Sequence, residues 1–509
     1  MRAGWKVLKK AAEALDASYA VAGSQQWLLA CLRRNAQTKY GLKHGFGSIR
    51  DADDYRARVP LVAYDDLAGF VQEIARGCPD ILFAGLPAAW ELTGGSGGGR
   101  RLIPYSAHSL ADFRAVLLPW VGSLVNTYGL GSGRAYLAIG PVLRGDSVAE
   151  TAVPVGLPEG AYLGVEVVSA LADISAVPAG VAAAASLEEW RLLTAYHLLR
   201  ASDLEFVSVW SPTFLLGILE GIVEERGRLE LLLRGGGEIG PCRLEADAKA
   251  LACLAMYNGT NPEVLWPRLK AISCWADASS TPYAERLAAL FPHAAVQGKG
   301  LLLTEGVVTV PDAQGRPLPV RKGFVEFLDE RGRSHLAHEL RTGGNYEVAM
   351  TTSGGLYRYR AGDVVCCEGF TGAAADDVGG VPILRFAGRC GVCSDLVGEK
   401  LTDAFVAMCL KRAGCYGMVI PDRSAALGYV LLTEANEPAA AGRLDEAFCR
   451  NPQYAYARKL GQLCPVRARC AEGLSARYAA FALASGRLLG DVKIPALCVD
   501  PLFAESFSG

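Results

Sequence analysis

Thr93-Gly94-Gly95-Ser96-Gly97-Gly98-Gly99-Arg100-Arg101 runs directly into Leu102-Ile103-Pro104-Tyr105. A run of glycines lets successive backbone N–H groups point into one concavity and approach phosphate oxygens closely, because no Cβ stands in the way. Thr93 and Ser96 add hydroxyl donors, and Arg100 and Arg101 add positive charge. No Gly-Lys-Ser/Thr closes the segment, so it is not a Walker loop. Taken alone, the run reads equally as a phosphate loop or as a flexible linker, and its surroundings decide between them.

Upstream, residues 4–36 carry Trp5, Leu8, Ala11, Ala12 and Leu15 at three-and-four spacing, which predicts helices. Downstream, Leu110–Leu118 reads as a helix that stops at Pro119. Leu187–Leu199 and Thr213–Glu225 are amphipathic helices, the second following the start signal Ser211-Pro212. Ala135–Leu143, Leu269–Ser273, Gly323–Leu328, Tyr346–Thr352 and Leu356–Val365 have strand character, and Ala284–Phe291 is helical. Alternating helices and short apolar strands predict an α/β core with a β-rich middle. The Ala/Gly/Asp run Gly372–Gly380 reads as a loop. From Gly391 onward, helices near Thr402–Ala413, Gly442–Cys449 and Ala471–Leu483 mix with strands near Gly417–Ile420 and Gly428–Thr433, the pattern of a separate small α+β unit.

With 509 residues the chain has material for roughly two to four domains or subdomains. Half of it is hydrophobic (51%) and a fifth charged (20%), which places it among globular chains. A net charge of -2 excludes a polycation built to neutralise nucleic-acid phosphates. The first twenty residues have charges at helical spacing and no uninterrupted apolar core, so they do not read as a secretory signal. Ala170–Ser186, the most apolar stretch, holds Asp173, Pro178 and Gly180 and is a poor membrane span. Fifteen cysteines in a chain this large need no disulfides, and the expectation is a cytoplasmic protein with reduced thiols and no membrane or nucleic-acid partner. Cys390 and Cys393 form a CxxC without the second pair a zinc site wants, and His335 and His338 lack a third ligand.

Four more stretches follow the glycine run in a definite order: Trp210-Ser211-Pro212-Thr213, Lys299-Gly300-Leu301-Leu302-Leu303-Thr304-Glu305-Gly306, Gly355-Leu356-Tyr357-Arg358-Tyr359-Arg360-Ala361-Gly362-Asp363-Val364-Val365, and Phe386-Ala387-Gly388-Arg389 leading to Gly398-Glu399-Lys400. With Leu61–Asp66, Leu265–Asp277 and the closing Gly490-Asp491-Val492-Lys493-Ile494-Pro495, the order and spacing resemble the auxin-responsive (Gretchen Hagen) acyl acid amido synthetases, a branch of the luciferase-type adenylating superfamily. The closer likeness is to bacterial members. The resemblance implies an α/β protein with a large N-terminal adenylating domain of mixed sheets and helices, residues 1–389, and a small mobile C-terminal α+β lid, residues 390–509.

The same resemblance implies roles residue by residue. Thr93, Gly94, Gly95, Ser96 and Gly97 would grip the phosphates of ATP, with Arg101 where a lysine is common in the family. Thr304-Glu305 matches the superfamily's Thr-Glu motif, whose carboxylate suits Mg²⁺. Asp363 matches the aspartate that accepts from both ribose hydroxyls, and Arg389 marks the hinge and reaches the nucleotide. Lys493 matches the lysine that stabilises charge at the α-phosphate, and Lys400 lies with it in the small domain. Outside this context Glu305 and Asp363 would read as turn acids and Lys493 as a surface lysine. The expected activity is ATP-dependent adenylation of a carboxylic acid, then acyl transfer to an amine, an amino acid, giving an amide. A thiol acceptor (coenzyme A or a carrier protein) and a nucleotide-binding protein without turnover are the alternatives.

Overall fold

The computed structural model describes residues 1–13, 21–94, 100–138, 155–156, 164–240, 242–371, 380–397, 399–424, 427–459, 462–485, 487 and 492–507. Two sheets organise the larger, N-terminal part. The first is parallel and runs in the order Arg134–Leu137, Leu204–Ser208, Ala271–Cys274, Ala295–Gly298. Parallel neighbours need crossover connections, and helices supply them: Leu187–Leu199, Pro212–Glu224, Ala248–Met256 and Thr281–Leu290 lie between successive strands. Both faces are covered, so the strands read as continuous apolar runs. Val207 and Ile272 point to a core made with the crossover helices, whereas Phe206 and Ala271 point to a core made with helices Ala3–Glu13 and Ala107–Thr127.

The second sheet is antiparallel, five strands in the order Ser334–His335, Phe324–Leu328, Asn345–Thr351, Tyr359–Thr371, Val381–Arg389. It buries Phe327, Val348, Tyr359 and Val365 against Leu28, Leu32, Tyr55 and Val71 of the N-terminal helices. Beyond Arg389, helices Asp403–Ala413, Pro438–Phe448, Pro452–Lys459 and Leu474–Ala484 surround a three-stranded sheet of Met418–Asp422, Gly428–Thr433 and Arg467–Cys470. Its side chains fill cores to which residues 401–507 contribute every buried member. The mixed α/β architecture, with a large N-terminal and a small C-terminal part, is the expected one.

Two local expectations are corrected. The helix does not stop at Pro119 but runs on from Ala107 to Thr127. Proline removes one i→i−4 hydrogen bond, yet Val116, Trp120, Leu124 and Val125 on both sides of it are buried, and that packing holds the second half in register. The strand expected from Leu356 begins only at Tyr359. Gly355 (φ 91°) and Arg358 (φ 49°) are left-handed and turn the chain first. Arg358 keeps that conformation because its guanidinium is clamped, donating to both carboxylate oxygens of Glu326 at 2.9 and 2.8 Å and to the carbonyls of Arg56 and Val59 at 2.6 and 2.7 Å. Among the described residues no helix is long and apolar enough to cross a membrane. All fifteen cysteines are free, Cys390 and Cys393 included.

Candidate active site

The glycine-rich segment is carried by a hairpin. Ala89–Gly94 and Arg100–Tyr105 pair antiparallel, with Thr93 opposite Arg101 and Gly94 opposite Arg100. Gly95, Ser96 and Gly97 lie outside the described residues. At the far end of this hairpin the Tyr105 hydroxyl donates to the carbonyl of Thr304. Thr304-Glu305 is itself the two-residue loop of a small hairpin, Leu302–Leu303 against Gly306–Val307. One hydroxyl thus fixes the height of the Thr-Glu turn relative to the glycine hairpin.

Glu305 faces the antiparallel sheet. The Tyr359 hydroxyl donates to its Oε1 at 3.3 Å. Asp363 and Arg389 stand opposite each other on neighbouring strands, and Arg389 Nε donates to Asp363 Oδ1 at 3.1 Å. The Asp363 carboxylate is only 1% exposed, while Arg389 keeps 38% of its side chain open. Burial, followed by the nearby Asp363 charge, raises the Glu305 carboxyl above its ordinary range despite Arg389 and Tyr359. Asp363 in turn, ahead of the opposing effect of burial, makes the Arg389 guanidinium harder to deprotonate. Arg101 joins from the hairpin: its guanidinium lies 5.3 Å from the centre of the Tyr64 ring, and its charge acts on the Tyr359 hydroxyl. A recess lined by Tyr105, Phe113, Val116, Glu305 and Val307 opens beside this cluster.

Glu305 and Asp363, two carboxylates near enough for the charge of one to act on the other, form an incomplete cation site. Among the described residues no cluster of three or more His, Cys, Asp or Glu could hold a metal alone. The donors here are oxygens, too few to close a shell, which fits a hard divalent ion that brings most of its ligands with it on phosphate and water. The CxxC and His335 build no metal site among these residues. His335 Nε2 instead lies 3.1 Å from Asp329 Oδ2.

Lys493 arrives from the C-terminal part. Its Nζ lies 4.4 Å from the centre of the Trp275 ring and 5.0 Å from that of Phe386, three residues before Arg389. Lys400 is different: it is exposed, left-handed at φ 48°, and no hydrogen bond ties it to the cluster among the described residues. The preceding Glu399 holds the loop, accepting from the backbone of Leu396 and Val397 at 2.8 Å each. Glu305, Asp363, Arg389 and Arg101 are therefore brought together, Lys493 stands at the margin of the same sheet, and Lys400 stands apart. Sequence reasoning assigned nothing to Tyr105, Tyr359 and Arg358. All three lie within the motif stretches, Tyr105 just after the glycine run and the other two in Gly355–Val365, where two tyrosines flanking an arginine were the available signal.

The GH3 family N-terminal domain matches residues 14–226, and the GH3 family central domain matches residues 317–389. Indole-3-acetic acid-amido synthetase GH3.8 of Oryza sativa subsp. indica is 26% identical over 435 residues, covering 75% of this chain and 68% of its own. Jasmonoyl–L-amino acid synthetase GH3.5 of Oryza sativa subsp. japonica is 23% identical over 437 residues, covering 75% and 72%. Among solved structures, the acyl acid amido synthetase GH3.15 in complex with 2,4-DB superposes with a TM-score of 0.83 at 18% identity, over 99% of this chain and 96% of the other. A 2-hydroxyisobutyryl-CoA ligase in its postadenylation state superposes with a TM-score of 0.54 at 13% identity, over 99% and 90%. At these identities the structural likeness is one of fold.

Proposed function

We propose, on the premise that the chain belongs to the GH3 family, that it joins a carboxylic acid to the amine of an amino acid through an acyl-adenylate. The observation that carries this reading is the meeting of Glu305, the Asp363–Arg389 pair and Arg101 at the foot of the glycine hairpin. The curated relatives supply the reaction type by their names, amido synthetase and amino acid synthetase.

In the first half-reaction an oxygen of the acid attacks the α-phosphorus of ATP, and pyrophosphate leaves. Thr93, Gly94, Gly95, Ser96 and Gly97 offer backbone and hydroxyl donors to the phosphates, with Arg101 as the fixed cation beside them. Asp363, immobilised by Arg389, accepts from the ribose hydroxyls, and Arg389 keeps open surface toward the nucleotide. Thr304 and Glu305 would hold Mg²⁺, which when bound neutralises phosphate charge. Lys493 stabilises the charge that develops at the α-phosphate, and Lys400 adds charge at the lid. In the second half-reaction the amine nitrogen attacks the acyl carbon, loses a proton, and AMP leaves. We place the hinge after Arg389, so that residues 1–389 bind substrates and residues 390–509 form the lid, closing to exclude water from the mixed anhydride. Free thiols throughout accord with a cytoplasmic location.

Pyrophosphate release from ATP and Mg²⁺ over a panel of acids, with and without amino acids, tests this. Acid-dependent release that quickens with amino acids, and an amide product by mass spectrometry, is expected. Acceleration by coenzyme A instead would move the acceptor to a thiol. Nucleotide binding without release over the whole panel would overturn the reading.

A further inference from the structure

Three polar side chains stand in a row across the parallel sheet. Ser208 pairs with Ser273, and Ser273 with Gln297. Each is the last or the penultimate residue of its strand, at the carboxyl end. Alternate residues of a strand share a face, so Ser208 and Ser273 follow Phe206 and Ala271 onto the side covered by helix Ala107–Thr127. Lys299, two residues past Gln297, completes the row. It is 5% exposed, its Nζ donates to Ser208 Oγ at 2.7 Å, and it lies 5.5 and 5.4 Å from the centres of the Trp120 and Trp210 rings.

Ser273 Oγ, Gln297 Oε1 and Trp120 Nε1 are buried here without a hydrogen-bond partner. Buried polar groups are normally paired, so three unpaired ones in one place mark where the polar atoms of a ligand go. Open α/β sheets take ligands at the carboxyl ends of their strands. Helix Ala107–Thr127 runs past both the row and the recess beside Glu305. Val116 lines that recess, and Trp120 follows it by just over one helical turn, about 6 Å further along the same stripe. Trp210 and Trp275, whose ring centres are 6.0 Å apart, stand next to Lys299 and Lys493 respectively.

We propose that this row receives a second carboxylate of the acyl substrate, remote from the carboxylate that is adenylated. The inference rests on the adenylation reading and adds the substrate class to it. The available groups are mostly donors (the Lys299 ammonium, the Trp120 N–H and the hydroxyls of Ser208 and Ser273), and Lys299 supplies positive charge in a dry setting. Such a set favours an anionic oxygen group over the methyl or ring edge of a monocarboxylic acid.

The test compares kcat/KM for pyrophosphate release by the full chain with two matched series: hexanoate, 6-hydroxyhexanoate and adipate, and the phenylacetates bearing 4-methyl, 4-hydroxy and 4-carboxy groups. In at least one series the dicarboxylic acid is expected to lead its methyl-terminated analogue by about tenfold or more. Lys299→Met is expected to erase that lead, Lys299→Arg to keep part of it, and Ser273→Ala to reduce it by about threefold. A preference only for the hydroxyl-bearing acids, a flat profile in both series, or an equal loss for all six acids in Lys299→Met would overturn the inference. Calorimetric binding of the same acids to the ATP-free protein separates the two readings. If no acid releases pyrophosphate the adenylation reading fails, and the binding preference, lost in Lys299→Met or absent from the start, decides the second-carboxylate subsite alone.

Discussion

At Glu305 the fold holds a carboxylate where burial and the Asp363 charge both favour the protonated form. A carboxyl raised in the folded state penalises the fold as pH rises through its range, and the penalty is absent below it. Binding a cation requires the ionised form, so metal affinity rises with pH over the same interval. Glu305→Gln is expected to raise the Mg²⁺ concentration needed for half-maximal pyrophosphate release by about tenfold or more, and to flatten the acidic limb of the pH–rate profile, without lowering the melting temperature. An unchanged Mg²⁺ requirement would remove Glu305 from the metal site. Glu205 behaves in the opposite sense. It is 0% exposed, and burial pushes its carboxyl up, but hydrogen bonds from Ser132, Gly131, Gly133 and Lys270 outweigh burial and bring it from 4.5 to about 2. A depressed carboxyl stabilises the fold above its unfolded value and loses that contribution as pH falls from 4.5 toward 2. The unfolding free energy of the wild type, from denaturant titrations, is expected to drop by up to about 3 kcal/mol across that window, with a shallower slope in Glu205→Gln.

At the scale of elements, the strand Val381–Arg389 carries one residue that nothing else replaces. Gly388 has φ 148°, and a Cβ there would lie 2.6 Å from Ala404 Cα in helix Asp403–Ala413. Gly388→Ala is expected to lower stability by about 1–3 kcal/mol in denaturant titrations and to disturb the Asp363–Arg389 register next to it, with pyrophosphate release falling more than stability accounts for. The glycine was legible in the Phe-Ala-Gly-Arg stretch, whereas its steric partner, sixteen residues on, was not. Most element types were legible for the same local reason, the period of apolar residues: Gly428–Thr433 and Leu187–Leu199 stand where periodicity put them. What escaped was decided by distant packing. Pro119 was read as a stop because its helix is stabilised by side chains from residues 5 to 320 that no local window contains. The Glu305–Asp363–Arg389 cluster was legible as motifs in order, but the Tyr105 and Tyr359 hydroxyls that position it depend on strand pairing far along the chain.

At the scale of the molecule, the segment from Trp275 to Glu285 touches the C-terminal part at several points. Ala278 packs on the C-terminal core, Tyr283 on the cluster around Tyr478, and the Tyr416 hydroxyl donates to Glu285 Oε2 at 2.8 Å. Lys493 over Trp275 belongs to the same contact. In this arrangement the lysine faces Trp275 and Phe386 of the larger part, as the proposed role in the first half-reaction requires. Lys493→Ala is expected to slow acyl-AMP formation by about a hundredfold or more, while aminolysis of preformed acyl-AMP changes by less than about threefold. Equal losses in both half-reactions, measured in single turnovers, would count against a lid that acts in the first step alone. The pairing of Trp275 with Trp210 has an optical consequence. An indole in contact with another indole and with an ammonium group emits differently from one facing water or an apolar wall, because its excited state is quenched or shifted by such neighbours. Trp5, Trp90, Trp190 and Trp266, fully buried elsewhere, give a steady background. Movement of Lys493 away from Trp275 would therefore change the intrinsic emission of the protein, so the proposed closure of the lid has a readout in fluorescence without a label.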